Sequence, residues 1–127
     1  MKAVLDTSVL IAGGVDALSD ELAISTITLA EIHFGVLVAP NETERARRLR
    51  LLTETGRRFP DPIPVDEQVA SCYGELAAAV RASGRKPRPR SMDLLIAATA
   101  RAHGARLYTL NAADLRGTEG LLDVVAI

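Results

Sequence analysis

The chain has 127 residues, 48% of them hydrophobic and 24% charged, with a formal net charge of −1. That length describes one domain, able to bury roughly two-thirds of its unfolded surface. The near-neutral balance argues neither for nor against a nucleic-acid partner, but the lack of an apolar run approaching about 18 residues excludes a membrane span. Asp6 interrupts the apolar start too early for a signal peptide. The single cysteine, Cys72, rules out an internal disulfide framework. A cytoplasmic protein with no membrane attachment is expected, and Cys72 reads as core filler within an apolar helical pattern.

Ala3-Val4-Leu5 reads as a buried strand running into the polar turn Asp6-Thr7-Ser8. Val9 to Ala12 predicts one helical turn stopped at Gly13 and Gly14. Residues 16–21 suggest a short surface helix, and 22–24 a second strand. Thr28-Leu29-Ala30-Glu31 has the form of a capping box opening a helix to about Leu37, with Leu29, Ile32, Val36 and Leu37 on its apolar stripe. Residues 42–55 form a charged helix with Glu44 and Arg48 at supportive spacing. Pro60, Pro62 and Pro64 make a stiff connector around a third short strand at 63–65. Asp66 caps a long helix with Val69, Cys72, Leu76 and Val80 on one face, ending at Gly84.

Arg85 to Arg90 is a basic loop that Pro87 and Pro89 keep from helix. Ser91 is the expected cap of a helix running to Gly104, apolar on nearly every side but with Asp93 in its first turn. Residues 106–109 form a fourth strand, 111–115 a capped turn, and 124–125 a closing strand. Strands alternating with helices give the α/β class, with a parallel sheet covered on both faces: a three-layer α/β/α sandwich. Ligands of such sheets bind beyond the carboxyl ends of the strands. Asp6, Asn111 and Asp114 follow strands at that edge, and the helices bearing Glu31 and Asp93 are entered from it.

Each acid has a plain structural explanation. Glu31 would complete the capping box, Asp93 and Asp114 would sit favourably in first turns, and Asp6 would be a turn residue. Those explanations require no convergence, whereas the fold brings all four to one edge. Like charges about 4 Å apart repel by roughly 4 kcal/mol at an effective dielectric of 20, so such a cluster traps protons or needs a cation. Hard oxygen ligands without thiolate or imidazole suit Mg²⁺ or Mn²⁺.

Leu5-Asp6-Thr7-Ser8, then Thr28-Leu29-Ala30-Glu31-Ile32, then the run from Asp93 to Ala100, then Thr109-Leu110-Asn111-Ala112-Ala113-Asp114-Leu115 together resemble the PIN domain. Their order and spacing, with the overall length, are similar to the VapC ribonuclease toxins of bacterial toxin–antitoxin pairs. The likeness runs from near Met1 to Val125, so 1–127 is expected to be a single PIN domain, loosest at the 42–55 helix and the proline connector. The resemblance implies a five-stranded parallel sheet and a Mg²⁺-dependent endoribonuclease that cuts structured RNA such as tRNA or rRNA. It implies a small VapB-like antitoxin as partner, and self-association as a homodimer. By position, Asp6, Glu31, Asp93 and Asp114 match the family's acidic quartet. Ser8 and Asn111 match supporting polar positions.

His33 and His103 are the only histidines for a metal-free acid–base mechanism, and both read as bystanders. Aromatics make up only 3% of the chain, which argues against a base-stacking platform. Recognition through RNA backbone and shape is expected instead, using Arg85, Lys86, Arg88 and Arg90; the alternative is a solvated loop. A dehalogenase-type phosphatase expects a second aspartate where Ser8 stands. A receiver-type phosphoacceptor expects paired acids after the first strand. The remaining alternative is a catalytically silent PIN-like module that only binds a protein partner.

Overall fold

The computed structural model describes residues 2–127. Its sheet has four parallel strands, β1 (Lys2–Leu5), β2 (Glu21–Ala23), β3 (Arg106–Thr109) and β4 (Val124–Ala126), in the order β2-β1-β3-β4. Five helices surround it: α1 (Thr7–Ala12), α2 (Thr26–Leu37), α3 (Glu42–Arg58), α4 (Glu67–Ala82) and α5 (Ser91–Ala102).

The period-two alternation of the strands divides the core into two layers. Val4 and Leu107 face one side, where Val69, Cys72, Leu76 and Val80 of α4 meet Leu94, Ile96, Ala97 and Ala100 of α5. Ala3, Leu5 and Tyr108 face the other, against Val9 and Leu10 of α1, Ile32 of α2 and Phe59 just after α3. The three-layer α/β/α sandwich expected from the alternation of elements is therefore present. Leu94 and Ile96 are wholly buried, each contributing roughly 1.5–3 kcal/mol by removal from water. Alanines at 97, 98 and 100, also fully buried, keep the α5 surface flat, so the helix lies close to the sheet and to α4.

The sheet has four strands among the described residues, not five. The expected strand at 63–65 contributes only one parallel bridge, Ile63 to Ser25. Ile63 N–H donates to the Ile24 carbonyl at 2.8 Å, and Thr26 N–H to the Ile63 carbonyl at 3.0 Å. Pro62 and Pro64 lack N–H donors, so the ladder cannot extend either way.

Other local expectations change as well. The cap of α2 is Ser25, whose hydroxyl accepts from Ile27 N–H at 3.0 Å. Thr28 is fully buried inside the helix, and Glu31 sits in its second turn, so no capping box forms. Ser91 is already helical, with its hydroxyl donating to the Arg88 carbonyl at 2.8 Å. The surface helix expected at 16–21 is a single 3₁₀ turn at Val15–Ala17, with residues 18–20 leading into β2. Asp66 does cap α4, accepting from Val69 N–H at 2.9 Å.

Strand order places a topological switch between β1 and β3. From β1 the chain moves outward to β2 on one side, and later returns to β3 on the other. The crevice beyond the carboxyl ends of these two strands is where an open parallel sheet binds ligands.

Candidate active site: an acidic crevice

Asp6 follows β1 immediately, and its N–H continues the ladder by donating to the Tyr108 carbonyl at 2.9 Å. The residue is only 5% exposed, a costly place for a charge unless donors meet it. Two do. The hydroxyls of Ser8 and Thr109 each donate to Oδ2 at 2.8 Å. Both hydroxyls are fixed in turn, Ser8 Oγ by Leu110 N–H at 3.2 Å and Thr109 Oγ1 by Asn111 N–H at 2.9 Å. Charge-assisted bonds of this kind are about twice as strong as neutral ones. The segment after β3 thus grips the acid after β1.

Asp114 enters through the 3₁₀ turn Ala112–Leu115, its N–H bonded to the Asn111 carbonyl at 2.9 Å. Asp93 enters from the first turn of α5, whose buried body fixes its direction. Asp6, Asp93, Asp114, Asn111 and Thr109 line one narrow cleft, floored by Leu107 and Leu115. Glu31 stands beside it, in the second turn of α2, with Oε1 accepting from Thr7 Oγ1 at 2.7 Å.

The Asp93 carboxyl is pushed up to about 6, first by burial and then by the charges of Asp6, Glu31 and Asp114, with Arg90 pulling the other way. The charges of the other three acids therefore all act on Asp93. Among the described residues, however, no three Asp, Glu, His or Cys side chains form a group that could hold a metal ion. The acids converge without closing. Their chemistry still fits a hard cation, because every donor lining the crevice is oxygen and the like charges raise the proton affinity of Asp93. His33 is exposed on α2. His103 caps the far end of α5, roughly 15 Å from Asp93 by the helical rise.

The basic loop divides in two. Arg85 Nη1 donates to the carbonyls of Ala113 and Arg116, each at 3.0 Å, bracketing the turn that carries Asp114. Arg90 Nη1 donates to the Lys86 carbonyl at 2.8 Å, while its charge acts on Asp93. Lys86 and Arg88 are exposed. Sequence reasoning assigned no role to Thr109 or Thr7. The available signal was a hydroxyl residue ending a strand beside an acid, or directly following one.

A parallel sheet with acids gathered at its switch point is also the architecture that the comparisons find. The PIN domain model matches residues 3–117, and the chain belongs to the PIN-domain family. It is 39% identical over 100 residues to ribonuclease VapC8 of Mycobacterium tuberculosis, a match spanning 76% of this chain and 88% of that protein. Among solved structures it is similar to VapBC-5 of Mycobacterium tuberculosis, a member of the VapBC family of toxin–antitoxin systems. That match has a TM-score of 0.83 and 35% identity, covering 99% of this chain and 97% of the other. It is also similar to VapBC2 of Rickettsia felis, solved bound to a DNA fragment from its promoter, with a TM-score of 0.79 and 25% identity over 99% and 98% of the two chains.

Proposed function

We propose that this protein is a ribonuclease of the VapC kind, the toxin of a toxin–antitoxin pair, acting on structured RNA in the cytoplasm with Mg²⁺ as cofactor. The observation that carries the reading is the charge of Asp6, Glu31 and Asp114 acting on Asp93 at the switch point of the sheet. Relatives named as VapC ribonucleases and as VapBC complexes support the activity and an antitoxin partner; a homodimer is proposed on the resemblance of the sequence motifs alone. No helix among the described residues is long and apolar enough to cross a membrane.

Asp6 and Asp93 would hold Mg²⁺, with Asp114 and Glu31 adding charge beside them and Ser8, Thr109 and Asn111 fixing the frame. When bound, a hard divalent ion makes a water nucleophilic near neutral pH and neutralises charge on a phosphodiester. The residues themselves supply position and charge. Asp6 is prevented from turning by its two hydroxyl donors. Asp93, titrating at about 6, is mostly ionised at pH 7 and ready for a cation. Lys86 and Arg88, exposed on the loop that precedes α5, offer a basic edge suited to the phosphates of folded RNA. Arg85 ties the loop to the turn carrying Asp114, and Arg90 closes the loop on itself at the Lys86 carbonyl.

The open spacing of the acids favours one second reading, a silent module that binds only a protein partner. One assay separates the two. Purified protein is incubated with total RNA and Mn²⁺, and new 5′ ends are mapped. Defined cuts should form and should vanish in excess EDTA and in Asp6→Asn with Asp93→Asn. Cutting that persists under either condition would remove the acids from the chemistry, and no cutting at all would favour the silent module.

A further inference from the structure

Glu31 differs from the other acids in how it reaches the crevice. Asp6 and Asp114 lie just beyond the sheet, and Asp93 is aimed by a helix buried on nearly every side. Glu31 extends from the second turn of α2, on a side chain with three rotatable bonds, and lines a wider groove with Thr7, Ile11 and Phe34. Nothing in the helix backbone fixes where its carboxylate goes. The Thr7 hydroxyl does, donating to Glu31 Oε1 at 2.7 Å.

Thr7 is well placed for this. It is the residue directly after Asp6 and the first of α1, so the peptide that sets one acid also sets the donor for another. It is 7% exposed, and its β-branched side chain has few rotamers. The hydroxyl of Thr28, wholly buried in α2, lies 3.1 Å from the Thr7 hydroxyl. That second hydroxyl holds the first in place and ties the end of β1 to α2.

We propose that Thr7 is the positioning residue for Glu31, its hydroxyl holding the carboxylate at the crevice while Thr28 holds Thr7. The inference rests on the reading that Glu31 serves cleavage. It separates Thr7 from a residue that merely starts a helix, for which valine would serve equally well.

The test is a double-mutant cycle on the full chain, measuring single-turnover RNA cleavage in Mn²⁺. Thr7→Val should slow cleavage about tenfold, the size expected for losing a hydrogen bond to a charged group. Thr7→Ser should restore most of the rate. On a Glu31→Ala background, Thr7→Val should change the residual rate less than about twofold, because no carboxylate remains to be held. Equal losses on both backgrounds would overturn the proposal. If Thr7→Val fails to fold, Thr7→Ala replaces it in the same cycle. A readout independent of cleavage is the ¹³C shift of the Glu31 carboxyl carbon in the metal-free protein at neutral pH. It should move in Thr7→Val and stay near the wild-type value in Thr7→Ser; an unmoved signal in Thr7→Val overturns the positioning role. Wild-type protein that cuts no RNA would defeat the nuclease reading instead, and the carbon shift would still decide what holds Glu31.

Discussion

Asp6 and Asp93 line the same cleft, yet the protein holds them by opposite means. Asp6 is the more buried of the two, and two hydroxyls meet its charge, each hydroxyl itself pinned by a backbone N–H. Asp93 is half-buried, and no donor among the described residues reaches its carboxylate; it carries the repulsion of three other acids and rises to about 6. A group that needs only to stay in place is surrounded by donors. A group proposed to accept a cation is left short of donors, with the charge of Arg90 opposing the three acids only in part. The contrast assigns rigidity to the β1 side of the crevice and demand for charge to the α5 side.

The largest effect on the comparison comes from undoing the rigid side. Thr109→Val keeps the shape of a residue only 1% exposed but removes one donor from Asp6 and an acceptor from Asn111 N–H. A hydrogen bond to a charged group is worth about 1.5–3 kcal/mol, so urea unfolding should show a loss of about 2 kcal/mol at pH 7. An unchanged midpoint would mean that Ser8 and solvent suffice to hold Asp6.

On the charged side the direction reverses. Asp93 has a higher proton affinity in the folded protein than when unfolded, so the folded state binds more protons between the two values. Stability of the metal-free protein should therefore fall as pH rises from about 4 through about 6, and level off above. Asp93→Asn should flatten that segment and stabilise the metal-free protein at pH 7 by on the order of 1 kcal/mol, the repulsion being reduced by partial exposure. Urea midpoints taken across this range check the sign. A variant less stable than wild type at pH 7 would return Asp93 to the role of an ordinary helix-start carboxylate.

The smallest effect concerns the exposed half of the basic loop. Reversing charge at Lys86 and Arg88 should weaken RNA binding and lower its salt slope by about 1.4, at roughly 0.7 per phosphate contact. The fold should be unaffected, since neither side chain is built into it. An unchanged salt slope would make the loop a solvated feature.

Much of this was legible in the sequence because it depended on local pattern. The apolar face of α4, its Asp66 cap, the buried character of α5 and the place of Asp6 after a strand all follow from periodicity and punctuation. The alternation of elements gave the layers, and the edge rule gave the crevice. What failed depended on tertiary context. Thr28 and Glu31 have the spacing of a capping box, but Ser25 pairs with Ile63 and starts α2 earlier, so both residues become available to Thr7. The run at 63–65 has strand-forming residues, but the prolines around Ile63 leave room for one bridge. Arg85 read as a candidate RNA contact, and only the folded turn reveals the carbonyls of Ala113 and Arg116 beside it. Hydroxyl networks across 24 or 103 residues of sequence, such as Thr7 with Glu31 and Thr109 with Asp6, leave no periodic trace.

The most direct test of the crevice as a cation site is calorimetric titration of the RNA-free protein with Mn²⁺ at pH 7, for wild type and for Asp93→Asn. The wild type should bind Mn²⁺ saturably with release of a fraction of a proton, since Asp93 is still partly protonated there, and Asp93→Asn should bind at least tenfold more weakly without that release. Equal binding in the two proteins, or none in either, would contradict the account.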